Sequence, residues 1–290
     1  MTTAPHPLSE GLRLPEGSAD CHVHLYGPYD RFPHGDEGRF TPRFPRTVED
    51  LFAHWDAIGV SRGVIVHAVG SGADNAVTLD ALRRYPDRLR ATAILKGDVS
   101  DRVLDELTDA GFKAVRITML RQDGKPVSTL GTSYDELVAL APRIAERGWH
   151  AQLWINSSDL MEAAPDLEKL PLDYVIDHMS RTMADIPPDS PGFRGFCDKL
   201  KTGRYWTKLS GADRNTRVGA PYADTAGHMR AIIAANPDRL VWGSDWPHVG
   251  HSDETTPRMD DLIRLLFECA PDETVRRRIL VDNPAVLYGF

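Results

Sequence analysis

The sequence predicts an α/β chain folded as a single-domain (β/α)8 TIM barrel, and three observations carry that expectation. Short apolar runs alternate with helical patterns eight times, the 290 residues suit a barrel of about 250, and no Gly-rich phosphate loop follows the first run. Such an alternation yields parallel strands joined by right-handed crossovers. A doubly wound open sheet is the alternative, and the missing GxGxxG counts against its dinucleotide-binding form.

Residues 1–17 carry Pro, Gly and Ser without apolar periodicity and read as an N-terminal arm, which leaves 18–290 for the barrel. Strands are expected at 19–24, 63–68, 91–95, 114–118, 150–155, 174–178, 206–210 and 240–243, where apolar or β-branched residues cluster. The first helical pattern opens at Thr47, with Asp50 as an approximate capping partner ahead of the apolar face. Residues 74–85, 100–110, 133–147 and 222–235 repeat that design. Two connectors, 26–46 and 181–191, are too long for plain turns. Both follow the carboxyl ends of strands, where the loops of a barrel build its active site.

A formal charge of −8 argues against a nucleic-acid partner, which needs a basic face to displace counterions. The three cysteines, Cys21, Cys197 and Cys269, lie far apart and form no CxxC pair, so neither a disulfide framework nor a cysteine metal site is expected. The opening residues lack a basic segment followed by an apolar one, and no uncharged apolar run reaches ~18 residues. A soluble cytoplasmic protein with no membrane partner is the expectation.

Chemistry concentrates at strand ends. His22 and His24 are separated by one residue on the first strand, so both project from one face, and in a barrel that face is interior. Alone, the pair reads equally as two satisfied polar residues at a strand end. The last strand ends at Asp245 and would lie beside the first, and the sixth ends at His178. Three imidazoles and a carboxylate then converge.

An opening His22-Val-His24, a later Asp177-His178-Met-Ser-Arg181, a closing Gly243-Ser-Asp245-Trp-Pro-His248 and a terminal Asn283-Pro284 followed by Gly289-Phe290 together resemble the amidohydrolase superfamily, in its lactonase branch. The resemblance covers 20–290. It implies a distorted barrel and a hydrolase that opens the ring of a carboxylated lactone, 2-pyrone-4,6-dicarboxylate-like or a sugar-acid lactone. It also implies Asp245 as general base for water, with His22, His24 and His178 polarising the carbonyl.

Members with two metals carry a bridging Lys or Glu on the fourth strand and a histidine on the fifth. Arg116 stands at the former position here, and His150 is at the wrong end of the latter. A binuclear site is therefore not expected. The resemblance and the nearby guanidinium charges point to no required metal, with one zinc ion on His22, His24, His178 and Asp245 as the alternative. Arg116, Arg121, Arg181 and Arg214 all follow strands at the expected mouth and suit carboxylate recognition. Asn75 reads equally as a substrate contact or a helix cap. Tyr26, Tyr29, His34, His248 and His251 are further loop candidates. A zinc-dependent decarboxylase, a lactone isomerase and a non-catalytic carboxylate binder are the alternatives, and either a monomer or a homodimer is compatible with the sequence.

Overall fold

Each of the eight apolar runs becomes a parallel strand, and the strands follow one another around the sheet in chain order. The structure, a computed structural model, describes residues 6–33, 41–122 and 124–290. His34 and residues 35–40 of the first long connector lie outside the described residues. The strands are β1 (Ala19–Val23), β2 (Arg62–Val66), β3 (Leu89–Ala93), β4 (Phe112–Thr118), β5 (His150–Trp154), β6 (Tyr174–Ile176), β7 (Tyr205–Leu209) and β8 (Leu240–Trp242). The ring closes where β8 runs past its end: the Asp245 amide donates to the His22 carbonyl at 2.9 Å, and the His24 amide donates to the Trp246 carbonyl at 2.8 Å. These two bonds bring the first and last motifs of the sequence together.

A buried carboxylate reinforces the seam. Asp20 accepts hydrogen bonds from the Ser244 hydroxyl at 2.6 Å, the Ser244 amide at 2.9 Å and the Trp55 indole at 3.2 Å. Burial still pushes its carboxyl up to about 6. A register shift between Asp20 and Val23 marks a bulge in β1. It turns Asp20 toward Trp55 on the outer helix and leaves His22 and His24 facing inward.

The helices form where caps and apolar stripes coincide. Thr47 and Asp50 make a full capping box at the start of α1 (Val48–Ile58), which ends at Gly59 with φ 78°. Ser100 caps α3 (Asp101–Ala110), and Ser133 with Glu136 boxes α4 (Tyr134–Ala145); between α1 and α3 lies α2 (Ala76–Arg84). The helix expected at 222–235 is regular only over Ala226–Ala235, because Tyr222 sits at φ 64° and a 3₁₀ turn precedes it. Strands also stop earlier than the apolar pattern suggests. His24, Ala68, Leu95, Ile155, His178, Ser210 and Gly243 leave the ladder to build the mouth.

The opposite end is closed by the chain terminus. Asn283 donates to the Leu240 carbonyl at 2.7 Å and the Pro237 carbonyl at 2.9 Å, and Tyr288 is fully buried with Cys21, Val64 and Val241. Leu12 and Leu14, ahead of β1, join the main core. Cys21, Cys197 and Cys269 are free thiols, and no described helix is long and apolar enough to cross a membrane.

Candidate active site

Asp245 Oδ1 is the point on which the imidazoles converge. His24 Nε2 lies 3.4 Å from it, His22 Nε2 3.6 Å and His178 Nε2 3.9 Å. All four side chains are buried. The other oxygen, Oδ2, accepts from Arg214 Nε at 3.0 Å and lies 3.0 Å from Arg214 Nη2. Burial alone would raise the Asp245 carboxyl, but the Arg214 guanidinium and the imidazoles hold it well below the usual carboxylate range.

Backbone geometry places these groups. Gly243 must lack a Cβ, since one would lie 2.6 Å from His22 Cβ and 2.9 Å from its amide nitrogen. His178, Met179, Ser180 and Arg181 form a run of left-handed residues with φ between 44° and 56°. Four such non-glycine residues in a row are costly, and strain of this kind concentrates at functional sites. The run is held by Asn215, which donates to the His178 carbonyl at 2.9 Å, and by the Ser180, Thr182 and Ser157 hydroxyl chain.

Second partners orient each ring. His24 Nδ1 is 2.7 Å from the Val66 carbonyl, and a carbonyl only accepts, so this nitrogen carries the proton. In the neutral ring Nε2 then points a lone pair at the anionic oxygen of Asp245. His178 Nδ1 meets Ser210 Oγ at 3.0 Å. Burial drives the His22 imidazole well below its ordinary value, with Lys208 adding to the effect, and brings His178 down to about 4. At neutral pH both rings are neutral and can offer a lone pair.

The expectation that no metal is required is corrected by this arrangement. Two donor groups, His22 with Asp177 and His178 and His22 with His24 and Asp245, bring ligand atoms within 4.8 Å of one another. A tetrahedral cation with bonds of about 2.0–2.1 Å spaces its ligand atoms about 3.4 Å apart, close to the separations around Asp245 Oδ1. A lone pair facing a carboxylate is a donor arrangement that a divalent cation fits. The guanidinium argument against a metal weakens because buried carboxylates sit against several of the nearby positive charges. Arg116 Nε is 3.7 Å from Asp177 Oδ2, Lys208 Nζ is 3.5 Å from Asp177 Oδ1, and Arg214 Nε is 3.3 Å from Asp213 Oδ2 as well as on Asp245.

Above this cluster opens a cavity of about 980 Å³, lined by His24, Tyr26, Trp154, His178 and Asp245 together with five arginines. Four of those arginines are Arg116, Arg121, Arg181 and Arg214. Arg116 is buried with its guanidinium 5.4 Å from the Trp154 ring centre. Arg181 donates to Asn215 Oδ1, and burial lowers its guanidinium to about 10, so it stays charged. Arg121 is exposed on a two-residue antiparallel ribbon, Arg121–Gln122 with Lys125–Pro126.

Asn75 is not in the mouth. Its amide accepts from the Ile94 amide at 3.1 Å and donates to the Ile94 carbonyl at 2.8 Å, tying the loop after β2 to the end of β3. It makes no side-chain cap either, and Asp74 takes the Ala76 amide at 3.0 Å instead. Asn75→Ala would leave a buried backbone amide unsatisfied and is expected to cost about 1–3 kcal/mol, read as a lower urea midpoint with unchanged slope.

Several residues at the site are missed by sequence reasoning. Arg217 is the fifth arginine of the cavity and pairs with Asp185 at 3.0 Å. Lys208 and Gln152 are fully buried beneath the imidazoles, and Lys208 Nζ donates to Gln152 Oε1 at 2.8 Å. Some signal was present: a Gln and a Lys stand inside strands that are otherwise largely apolar. Of the loop candidates, Tyr26 lines the cavity, while His251 holds Asp213 at 2.8 Å behind Arg214. His150 lies at the start of β5 against Tyr288, ring centres 5.5 Å apart, at the far end from the cavity.

The amidohydrolase family profile matches residues 19–290. A 4-sulfomuconolactone hydrolase of Hydrogenophaga intermedia is 35% identical, over 95% of this chain and 90% of its own. A 2-pyrone-4,6-dicarboxylate hydrolase of Comamonas testosteroni is 32% identical, over 98% and 93%. Among solved structures, a probable 2-pyrone-4,6-dicarboxylic acid hydrolase of Acinetobacter baumannii with citric acid bound superposes with a TM-score of 0.79 at 25% identity, covering 94% of this chain and 100% of that one.

Proposed function

The chain belongs to the amidohydrolase family, and from that premise we propose that it is a hydrolase opening the ring of a carboxylated lactone. The observation that carries this reading is the convergence of His22, His24 and His178 on Asp245 Oδ1 beneath a cavity rimmed by arginines. Residues 18–290 supply the catalytic barrel and 1–17 an arm to it. The enzyme acts in the cytoplasm as a monomer or a homodimer, on a small molecule rather than a nucleic acid or a membrane.

Substrate carboxylates pair with Arg116, Arg181 and Arg214, and Arg121 adds charge at the rim; a guanidinium fork suits a carboxylate bidentately. The Trp154 ring beside Arg116 gives a flat wall for the lactone ring. The ring carbonyl faces the three imidazoles. His22, His24, His178 and Asp245 would hold one divalent cation, which when bound supplies Lewis-acid polarisation to that carbonyl. Asp245 takes a proton from the attacking water and passes it to the departing ring oxygen. A substrate anion on Arg214 competes with Asp245 for the guanidinium and so makes the Asp245 carboxylate a better proton acceptor.

The test is a panel of carboxylated lactones assayed by proton release, with metal content measured on the same sample. Ring opening with about one divalent ion per chain is the expected result. An isomeric lactone in place of the open acid would assign an isomerase, and carbon dioxide release a decarboxylase. Binding without turnover across the panel would leave only a carboxylate binder.

A further inference from the structure

Below the imidazoles, three groups form a nearly equilateral triangle around one edge of His22. Its Nδ1 lies 3.3 Å from Asp177 Oδ1 and 3.3 Å from Lys208 Nζ, and those two atoms are 3.5 Å apart. The ammonium can only donate and the carboxylate can only accept. Whichever of them engages Nδ1 therefore sets the tautomer of the ring. If Asp177 accepts a hydrogen bond from Nδ1–H, Nε2 is left with a lone pair. If Lys208 donates to Nδ1, the proton sits on Nε2 and faces Asp245.

The surrounding bonds bear on the choice. Lys208 donates to Gln152 Oε1 at 2.8 Å, and another of its three N–H groups reaches Nδ1 at 3.3 Å. The same Gln152 donates its amide to Asp177 Oδ2 at 3.1 Å, and Arg116 Nε lies 3.7 Å from that oxygen. With Oδ2 so engaged, Oδ1 is buried without a hydrogen-bond partner and lies 3.3 Å from His22 Nδ1 and 3.5 Å from Lys208 Nζ, the place where a proton on Nδ1 would satisfy it. His22 Nε2 is itself buried with no hydrogen-bond partner. A lone pair there parallels the one that the Val66 carbonyl imposes on His24.

We propose that Asp177, anchored by Gln152 and Arg116, is a positioning residue that keeps the His22 proton on Nδ1 and so presents Nε2 as a ligand to a divalent cation, with Lys208 as the competing donor. This rests on the reading of His22, His24, His178 and Asp245 as a one-cation site. Carboxylate partners of this kind orient metal-bound histidines, and their loss typically costs 10- to 100-fold in metal affinity.

The proposal is tested on the full chain by two readouts independent of turnover. Nitrogen-15 NMR of the histidine-labelled, metal-free protein reads which His22 nitrogen carries the proton, with the resonance identified by its loss in His22→Gln. Competition with a chromophoric chelator gives the zinc dissociation constant. The wild type is expected to carry the proton on Nδ1. Asp177→Asn should move it to Nε2 and weaken zinc about 10- to 100-fold. Lys208→Met should leave the proton on Nδ1 and zinc affinity within about threefold, and adding it to Asp177→Asn should recover part of the lost affinity. A proton on Nε2 in the wild type overturns the assignment, and that spectrum decides the matter even where Asp177→Asn does not fold. Zinc binding by Asp177→Asn equal to wild type also overturns it. A wild type that opens lactones and binds no zinc overturns the cation site itself, a result distinguishable from a failed tautomer assignment.

Discussion

Asp245→Asn is expected to lower kcat/KM for lactone opening by about 10²- to 10⁴-fold while leaving the fold intact. The amide keeps the shape of the carboxylate, so the Arg214 contact at Oδ2 and the seam bond from the Asp245 amide to His22 can persist. What it removes is the anionic Oδ1 on which three imidazole nitrogens converge. An amide in that place cannot act as the base that accepts the proton of an attacking water. Steady-state kinetics with circular dichroism as the folding control would settle it. Activity within tenfold of wild type would remove Asp245 from its role as base.

The barrel was legible in the sequence because short apolar runs alternate with helical patterns, several of them capped, and eight such units leave little choice of architecture. The core of the site was legible for a topological reason. His22 with His24 and Asp245 lie 221 positions apart in the chain, taken from His24 to Asp245, yet a closed barrel must set the first strand beside the last. Sequence reasoning fell short where a residue's meaning depends on what faces it across the barrel. Lys208, Gln152 and Asp177 satisfy one another in the interior, and nothing in the separate stretches around them announces that triangle. Asn75 was misjudged in the same way, because its partner, Ile94, belongs to the next strand. The left-handed run from His178 to Arg181 could not be read at all, since no glycine marks it.

The metal expectation failed for an electrostatic reason. Counting Arg116, Arg181 and Arg214 as uncompensated charge makes a divalent ion unfavourable; with Asp177, Asp213 and Asp245 placed against two of them, the local balance no longer opposes it. Dialysis against a chelator is accordingly expected to reduce lactone turnover by about 100-fold or more, with recovery on adding zinc, as befits the loss of several kcal/mol of carbonyl polarisation. The fold should survive. His24 is tied to the Val66 carbonyl, His178 to Ser210 and His22 to the Asp177 and Lys208 pair through Nδ1, and none of those contacts involves the cation. Zinc at about 100 times its dissociation constant should add roughly 2.7 kcal/mol to unfolding stability through binding to the folded state. Scanning calorimetry on the metal-free and reloaded protein would then show one cooperative transition in both, shifted upward by zinc. Full turnover by protein with no detectable metal would sink the cation site, because the His24 lone pair would still face Asp245 with only a proton left to reconcile them.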